Sequence, residues 1–296
     1  MEKNIYNVHV IIKDITTSLE TRYDSSTHAH TVAWWLLERL TEQSKLELIT
    51  LMSIKLSEQD IRQINSWVTQ HLDDDYPLHY ILGSVPFGPL TLSVEPPTLI
   101  PRPETEEWLA TLIETLEPVK NEKLTILDMC TGSGCIALWL AKAFPNATIY
   151  AVDIVDSALT LAKKNAQQNN ISNIVFLKSD LFTLLAQDIK FDCIISNPPY
   201  IAPEEWNDLS PTIRKWEDRG ALIAGNQGFE IITQLIAQAP YYLNQQSVLR
   251  KHELASLVME IGYNQSKEVQ KLFVTAGFTQ ARILNDSAGI GRVVIG

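Results

Sequence analysis

The sequence has few cysteines, no long apolar run and no excess of positive charge. Its three cysteines, Cys130, Cys135 and Cys193, lack the paired spacing of metal ligands, so we expect no disulfide framework and no metal site. No run of about 18 apolar residues occurs, and the start of the chain lacks the pattern of an export signal. We therefore expect a cytoplasmic protein without a membrane partner.

The charge balance is acidic, with a formal net charge of -11. A protein that binds nucleic acid by neutralising phosphates usually shows a basic face or a basic tail, and neither is visible here. The 296 residues are 45% hydrophobic and 20% charged, which is typical of globular proteins. We expect a folded protein of one or two domains and no direct nucleic-acid partner.

The apolar pattern divides the chain into three parts. Up to residue 84 the apolar residues recur at helical spacing and no catalytic constellation occurs, which predicts a helical accessory domain over residues 1–84. Residues 85–100 contain short alternating pieces with Gly and Pro, which predict a hairpin linker. The remaining residues, 101–296, form the third part and begin with a proline-rich helix start.

In this third part, predicted strands alternate with predicted helices, as in a parallel sheet that is covered on both faces. The predicted strands are 124–128, 148–153, 174–179, 191–197 and 256–261, with two more at 281–285 and 292–295. The predicted helices are 134–143, 156–169, 229–243 and 264–276. The sequence therefore predicts an α/β fold.

A turn of small residues follows the first of these strands and opens a helix. It consists of Cys130, Thr131, Gly132, Ser133 and Gly134. Such a turn lets a ligand approach the backbone at a helix N-terminus. The spacing also fits the glycine fingerprint of dinucleotide-binding enzymes, so NAD and S-adenosylmethionine both remain open at this point.

Two further segments fit a nucleoside ligand. Asp153 ends the second strand, where a carboxylate can accept hydrogen bonds from both hydroxyls of a ribose. Asp180, Leu181 and Phe182 follow the third strand, where the carboxylate can accept from an adenine amino group and the apolar side chains can enclose the ring. These residues extend the predicted cofactor site.

The fourth strand ends in Asn197, Pro198, Pro199 and Tyr200. Because proline cannot continue a central strand and fixes the backbone, these residues form a rigid turn that carries polar acceptors. The Asn197 side-chain oxygen and the Pro198 carbonyl can each accept one N–H of a planar NH₂ group, while the Tyr200 ring packs on that group. This arrangement suits methyl transfer to the nitrogen and favours S-adenosylmethionine. The alternative is an ordinary turn in which Tyr200 fills a gap.

Two other functional classes are alternatives to a methyltransferase. A nucleotide-dependent oxidoreductase would explain the glycine turn but not Asn-Pro-Pro-Tyr. A catalytically silent module that binds RNA or the ribosome is disfavoured by the acidic balance.

Motifs along most of the chain resemble the release factor glutamine methyltransferases of the HemK type. Those enzymes methylate N5 of the glutamine in the Gly-Gly-Gln tripeptide of class I peptide chain release factors. The segments that carry the resemblance are 77–83, 99–106, 128–134, 197–201, 260–265 and 289–294. The most discriminating of them is Arg102-Pro103-Glu104-Thr105-Glu106, because adenine-N6 nucleic-acid methyltransferases also have Asn-Pro-Pro-Tyr.

The resemblance implies a class I S-adenosylmethionine-dependent methyltransferase, with a Rossmann-like seven-stranded sheet and an N-terminal helical domain that grips the release factor. It places the cofactor at Cys130 to Gly134, Asp153, Asp180 to Phe182 and Asn197. It places the target glutamine at Asn197 to Tyr200, with Asn197, Pro198 and Tyr200 catalytic, and implies direct in-line transfer. The nearest rival within this resemblance is the glutamine methyltransferase of ribosomal protein uL3.

This chain departs from the family pattern at four places. One is Trp216-Glu217-Asp218, which lacks the proline expected after the glutamate. Cys130 stands where the loop often has its first glycine, and Leu181 stands where an aromatic residue is common. Residues 243–254 replace a short turn with a longer polar segment.

Overall fold

Polar caps start the helices in the N-terminal part of the chain. Ser44 with Glu47 and Ser57 with Asp60 each form a capping box, and the Asn7 side chain caps the first helix. The elements of this part are β1 (Lys3–Asn7), α1 (Val8–Leu19), α2 (Ser26–Thr41), α3 (Lys45–Leu51), β2 (Ser53–Ser57), α4 (Glu58–Asp73) and α5 (Leu78–Leu82).

The computed structural model describes residues 3–296, and the chain divides into two compact units. The first contains the elements just given, and its core is formed by the apolar faces of α1, α2 and α4. Its strands β1 and β2 pair as an antiparallel ribbon that the sequence did not predict. Ile5 in β1 is 70% exposed, so this strand lacks the inward-facing apolar residues by which a strand is recognised in sequence.

The second unit begins at Ser84 with the hairpin β3 (Ser84–Phe87) and β4 (Leu90–Ser93). It continues with α6 (Pro103–Thr115), β5 (Thr125–Met129), α7 (Cys135–Ala143), β6 (Thr148–Asp153), α8 (Asp156–Gln168), β7 (Ile174–Lys178) and β8 (Cys193–Ser196). After the short helix α9 (Pro211–Trp216) come α10 (Glu230–Tyr242), α11 (Val248–Lys251), β9 (Leu257–Glu260), α12 (Ser266–Thr275), β10 (Arg282–Asn285) and β11 (Gly291–Ile295).

The second unit is built on a seven-stranded sheet with the order β10-β11-β9-β8-β5-β6-β7. The strands from β9 to β7 are parallel, and β11 runs antiparallel to both of its neighbours. The order reverses between β5 and β8, which makes this the switch point where ligands bind in open α/β sheets, beyond the carboxyl ends of the strands. This topology confirms the predicted fold class.

The predicted strands and helices of the sheet agree with the observed ones to within about two residues, as is usual for element ends. The two final strands form a hairpin. Residues 243–254 contain α11, and Leu249 within it is fully buried. The segment is therefore packed into the unit.

The hairpin of β3 and β4 is attached to the sheet by a buried asparagine. Asn165 on α8 accepts a hydrogen bond from the Ser93 backbone N–H at 2.7 Å and donates to the carbonyls of Ser93 at 3.1 Å and Ser133 at 3.0 Å. Because Ser133 lies in the small-residue turn, one side chain ties the hairpin to the predicted cofactor loop.

Helix α9 belongs to the first unit, although the residues on either side of it belong to the second. Lys215 pairs with Asp75 at 2.7 Å, and Trp216 donates to the Asp74 carbonyl at 3.0 Å. The Trp216 ring meets Tyr76 edge-on at 4.6 Å between centroids. This association was not predicted, because the partners are more than a hundred positions apart and leave no local pattern in the sequence.

Candidate active site

A cavity of about 310 Å³ lies at the carboxyl ends of β5, β6, β7 and β8. All of its lining residues belong to the second unit. The predicted site residues among them are Cys130, Gly132, Asp153, Asp180, Leu181, Asn197 and Pro199. The cavity thus brings together residues from the four segments that the sequence singled out.

The small-residue turn at the end of β5 has left-handed backbone at alternate positions. Cys130 has φ 63°, Gly132 has φ 54° and Gly134 has φ 84°. A side chain at Gly134 would place its Cβ 2.5 Å from Leu138 and 3.0 Å from Ala162, so only glycine fits there. Cys130 takes the same backbone region at a steric cost that a glycine at this position would avoid.

The buried Asp128 side chain stabilises this turn through two hydrogen bonds. Its Oδ2 accepts from the Thr131 hydroxyl at 2.6 Å and from the Ala137 backbone N–H at 3.0 Å. Its Oδ1 is buried and has no hydrogen-bond partner, and burial raises the pKa of Asp128 to about 7. Asp128 was not among the site residues predicted from the sequence, although its position just before a glycine turn could have indicated its role in shaping the cofactor loop.

Asp153 at the end of β6 also stabilises the turn, through a hydrogen bond from the backbone of the turn. Its Oδ2 accepts from the Gly132 N–H and its Oδ1 from the Val155 N–H, both at 2.9 Å. Each oxygen keeps a free lone pair, so the carboxylate can still receive ribose hydroxyls in the cavity that it lines. Burial raises the pKa of Asp153.

The next wall of the cavity is apolar. Leu181 is buried with φ 46°, and Ile154, next to Asp153, lines the cavity although it is 56% exposed. Asp180 also lines it, and its side chain is solvent-exposed. Phe182 does not reach it, because this ring is buried and stacks on Tyr242 at 4.6 Å. Apolar surface with one carboxylate is suited to a purine ring.

The Asn-Pro-Pro-Tyr segment leaves β8 at the switch point. The Ser196 hydroxyl just before it donates to the Met129 carbonyl at 2.7 Å and so satisfies a backbone group where β5 and β8 separate. Asn197 and Pro199 line the cavity, whereas Pro198 is buried and is not among the lining residues.

Tyr200 is partly buried against the core of the sheet and does not line the cavity. Its carbonyl accepts from Gln265 Nε2 at 2.9 Å, while Gln265 Oε1 accepts from the Gly262 N–H at 2.8 Å. At Gly228 a side chain would collide with the same Tyr200 carbonyl. The backbone of Tyr200 is therefore held on two sides, and burial raises the pKa of its hydroxyl.

Two segments that the sequence analysis did not assign to the site complete the cavity. One comprises Pro97, Thr98 and Leu99, and the other runs from Asp218 to Gly225. The Asp218 N–H donates to the Pro97 carbonyl at 2.6 Å, which joins the two segments. Leu99 begins the resemblance segment 99–106, but no local pattern assigned these residues to the site, and the fold brings them there.

Of the other predicted residues, Thr131 and Ser133 are buried within the turn, and Gly134 is the residue from which α7 starts. These residues shape the turn without lining the cavity.

Comparison with known proteins identifies the family to which this chain is similar. Residues 11–83 match the family described as the PrmC N-terminal domain, and residues 109–210 match the methyltransferase small domain. The release factor glutamine methyltransferase of Thermodesulfovibrio yellowstonii is 35% identical over 85% of this chain and 86% of its own length. That of Lactococcus lactis is 38% identical over 79% of this chain and 81% of its own length.

The chain belongs to the release factor glutamine methyltransferase family. Among solved structures it resembles a methyltransferase from Pyrococcus furiosus, with a TM-score of 0.49 and 16% identity over 81% of this chain and 97% of that one.

Membership of this family confirms that the protein is a methyltransferase and resolves the choice between NAD and S-adenosylmethionine in favour of the latter. The site fits this cofactor, because it offers an apolar wall for a purine ring and the Asp153 carboxylate for the hydroxyls of a ribose. Within residues 3–296, no helix has the length and apolar character needed to cross a membrane.

Proposed function

We propose that this protein methylates N5 of the glutamine in the Gly-Gly-Gln motif of class I peptide chain release factors. The observation that carries the proposal is the position of Asn197, at the carboxyl end of β8, on the wall of the cavity that fits the cofactor. The relatives' names supply the substrate, and Asn-Pro-Pro-Tyr supplies chemistry that suits a planar amide.

When bound, S-adenosylmethionine would supply the methyl group of its sulfonium: the amide nitrogen would gain that methyl group and lose one proton to solvent, and S-adenosylhomocysteine would be left. The chain's own contribution is positioning. The Asn197 side-chain oxygen and the Pro198 carbonyl each accept one N–H of the glutamine amide and fix its nitrogen, and both stabilise the positive charge that develops there. Pro199 and the ring of Tyr200 form the remaining substrate contacts in this proposal.

The cofactor residues follow the same proposal. The backbone from Cys130 to Gly134 approaches the cofactor, Asp153 receives the ribose hydroxyls, and Asp180 with Leu181 receives the adenine. Phe182 supports this wall from the core, where it packs on Tyr242.

The direct test is methylation of a purified class I release factor, with the modified residue identified by mass spectrometry. We expect one methyl group on the glutamine of Gly-Gly-Gln and none on a release factor in which that glutamine is alanine. Purified ribosomal protein uL3 and duplex DNA serve as the rival substrates. Methylation of either one in preference to the release factor would overturn the proposal.

We also propose that the helical domain of residues 1–84 recognises the release factor, with residues 85–100 as the linker and 101–296 as the methyltransferase domain. Support comes from the cavity, whose lining residues all belong to the other unit. The finding that α9 belongs to this unit sharpens the experiment. Deleting residues 1–83 must be combined with Trp216→Ser, because Trp216 would lose Tyr76 and Asp74.

We expect the shortened chain to keep its affinity for S-adenosylhomocysteine and to lose at least about 10-fold in kcat/KM on the full-length release factor, since recognition contacts contribute binding energy. Full-length protein with Trp216→Ser alone is the control. A shortened, folded chain of undiminished efficiency would show that recognition lies elsewhere.

We propose that the protein acts in the cytoplasm, because translation termination takes place there. We propose no direct nucleic-acid partner.

A further inference from the structure

A series of hydrogen bonds starts at the side chain of Asn197. Asn197 Nδ2 donates to Thr105 Oγ1 at 3.2 Å, and Thr105 Oγ1 donates to Glu260 Oε2 at 2.7 Å. Trp108 Nε1 donates to the same Glu260 oxygen, also at 2.7 Å. Thr105, Glu260 and Trp108 do not line the cavity.

The partners come from elements that the fold brings to one place. Thr105 and Trp108 lie one turn apart on α6 and so face the same way. Glu260 ends β9, which is parallel to β8, and the pairing of Ser196 with Met259 sets Glu260 beside Asn197.

All three partners are shielded from water. Thr105 is 1% exposed, Glu260 3% and Trp108 5%. A buried carboxylate must be supplied with donors, and Thr105 and Trp108 supply two of them. Burial nevertheless raises the pKa of Glu260.

Counting donors fixes the direction of the whole series. Thr105 has a single hydroxyl proton, and it donates this proton to Glu260 Oε2. The Thr105 oxygen is then left to accept, and Asn197 must turn its NH₂ group towards it. The side-chain oxygen of Asn197 consequently faces the other way. An amide turned by 180° would set its NH₂ against the NH₂ of a substrate amide, donor against donor.

We propose that Thr105, held by Glu260, is a positioning residue that keeps the Asn197 amide in the orientation that presents its oxygen to the substrate nitrogen. This inference rests on the proposed function for the identity of that nitrogen. The competing explanation is that Thr105 and Glu260 only fasten α6 to the sheet, in which case their loss would affect stability but not the orientation of Asn197.

The kinetic test compares Thr105→Val, which keeps the shape and removes the hydroxyl, with Thr105→Ser, which keeps the hydroxyl. We expect Thr105→Val to lower kcat on the release factor about 10-fold, the effect of losing one hydrogen bond, and Thr105→Ser to stay within about 3-fold of wild type. KM and the affinity for S-adenosylhomocysteine should not change. Thr111→Val is the matched control, because Thr111 is exposed on the same helix and bonds only within it.

The same substitution in an Asn197→Ala background separates positioning from a structural effect. If Thr105 acts through Asn197, Thr105→Val should lower kcat less than about 2-fold further when Asn197 is already alanine. A full 10-fold loss in that background, or wild-type kcat in Thr105→Val alone, would overturn the inference. So would a Thr105→Ser variant as impaired as Thr105→Val.

A measurement without substrate makes the inference independent of the proposed function. The side-chain NH₂ resonances of Asn197, assigned by their loss in Asn197→Ala, should shift and exchange faster with solvent in Thr105→Val and stay unchanged in Thr111→Val. If they respond while the wild-type protein leaves the release factor unmodified, the proposed function fails and the positioning role stands. If the wild-type protein is active and neither resonance nor kcat responds, the positioning role fails.

Discussion

The ion pair between Arg102 and Glu217 offers the sharpest test of how the cavity is held together. The Arg102 Nη2 and Glu217 Oε2 atoms lie 2.5 Å apart, and the Glu217 side chain is 1% exposed while that of Arg102 is 30% exposed. Arg102→Ala would leave a buried carboxylate without its positive partner. Breaking a buried pair from one side costs about 3 to 5 kcal/mol of unfolding free energy.

The partial exposure of Arg102 sets the expected loss at the lower end of that range, about 3 kcal/mol, since water can enter the space that the guanidinium leaves. Cofactor affinity should fall as well. Glu217 precedes Asp218, whose N–H donates to the Pro97 carbonyl at 2.6 Å, and both of these residues line the cavity.

Chemical denaturation of wild type and variant, with calorimetric titration of S-adenosylhomocysteine, measures both effects. The double variant Arg102→Ala with Glu217→Gln should recover most of the stability, because it removes the unpaired charge. Lys271→Ala is the control: its pair with Glu268 is 71% and 61% exposed, and its loss should cost less than about 1 kcal/mol.

The effect should also depend on pH, with a sign that follows from burial. Burial raises the pKa of Glu217 and Arg102 opposes this, so removing Arg102 raises the pKa of Glu217 in the folded protein further. A group whose folded pKa is raised loses stability as pH rises through that value. The difference between wild type and Arg102→Ala should therefore be larger at pH 8 than at pH 5. A loss below about 1 kcal/mol, or an equal loss at both pH values, would refute this account.

Two predictions concern the residues at the ends of β8 and β6. Asn197→Ala should lower turnover about 10² to 10³-fold with little change in cofactor affinity, and Asn197→Asp should stay well below wild type because its charge replaces the amide's donors. Single-turnover kinetics would check this, and near-normal turnover in Asn197→Ala would reduce the tetrapeptide to a structural turn. Asp153→Ala should weaken S-adenosylhomocysteine binding, since each charge-assisted ribose bond contributes about 1.5 to 3 kcal/mol and the Gly132 N–H loses its acceptor. Unchanged affinity by calorimetry in a folded variant would remove Asp153 from the site.

Features that depend on neighbouring residues could be predicted from the sequence. The strands of the sheet are apolar runs that end at small residues or prolines, so their ends, and with them Cys130 to Gly134 and Asn197 to Tyr200, follow from local chemistry. The parallel order then brings these ends to one edge. The predicted site residues that line the cavity lie at such strand ends or directly after them.

Features that depend on distant partners could not be predicted. Helix α9 joins the N-terminal unit through Asp74, Asp75 and Tyr76, which no local pattern connects to Trp216. The same holds for Glu260, which in the sequence is the polar end of one more buried strand. Its role as a hydrogen-bond acceptor depends on Thr105, which lies 155 positions away.

These distant contacts give one physical reason for the scattered motifs on which the family resemblance rested. Segment 99–106 supplies Thr105 to the amide of Asn197, and segment 260–265 supplies Glu260 to Thr105 and Gln265 to the carbonyl of Tyr200. Segment 99–106 therefore acts on Asn197, and segment 260–265 acts on Tyr200 directly and on Asn197 through Thr105. Prolines alone fix only its backbone angles, whereas an acceptor aimed at a reacting nitrogen also needs a fixed side-chain rotation. A turn that only ended a strand would not need the Asn197 side chain held in one rotation. The Thr105 variants therefore test whether the turn takes part in the chemistry as well as how it is held.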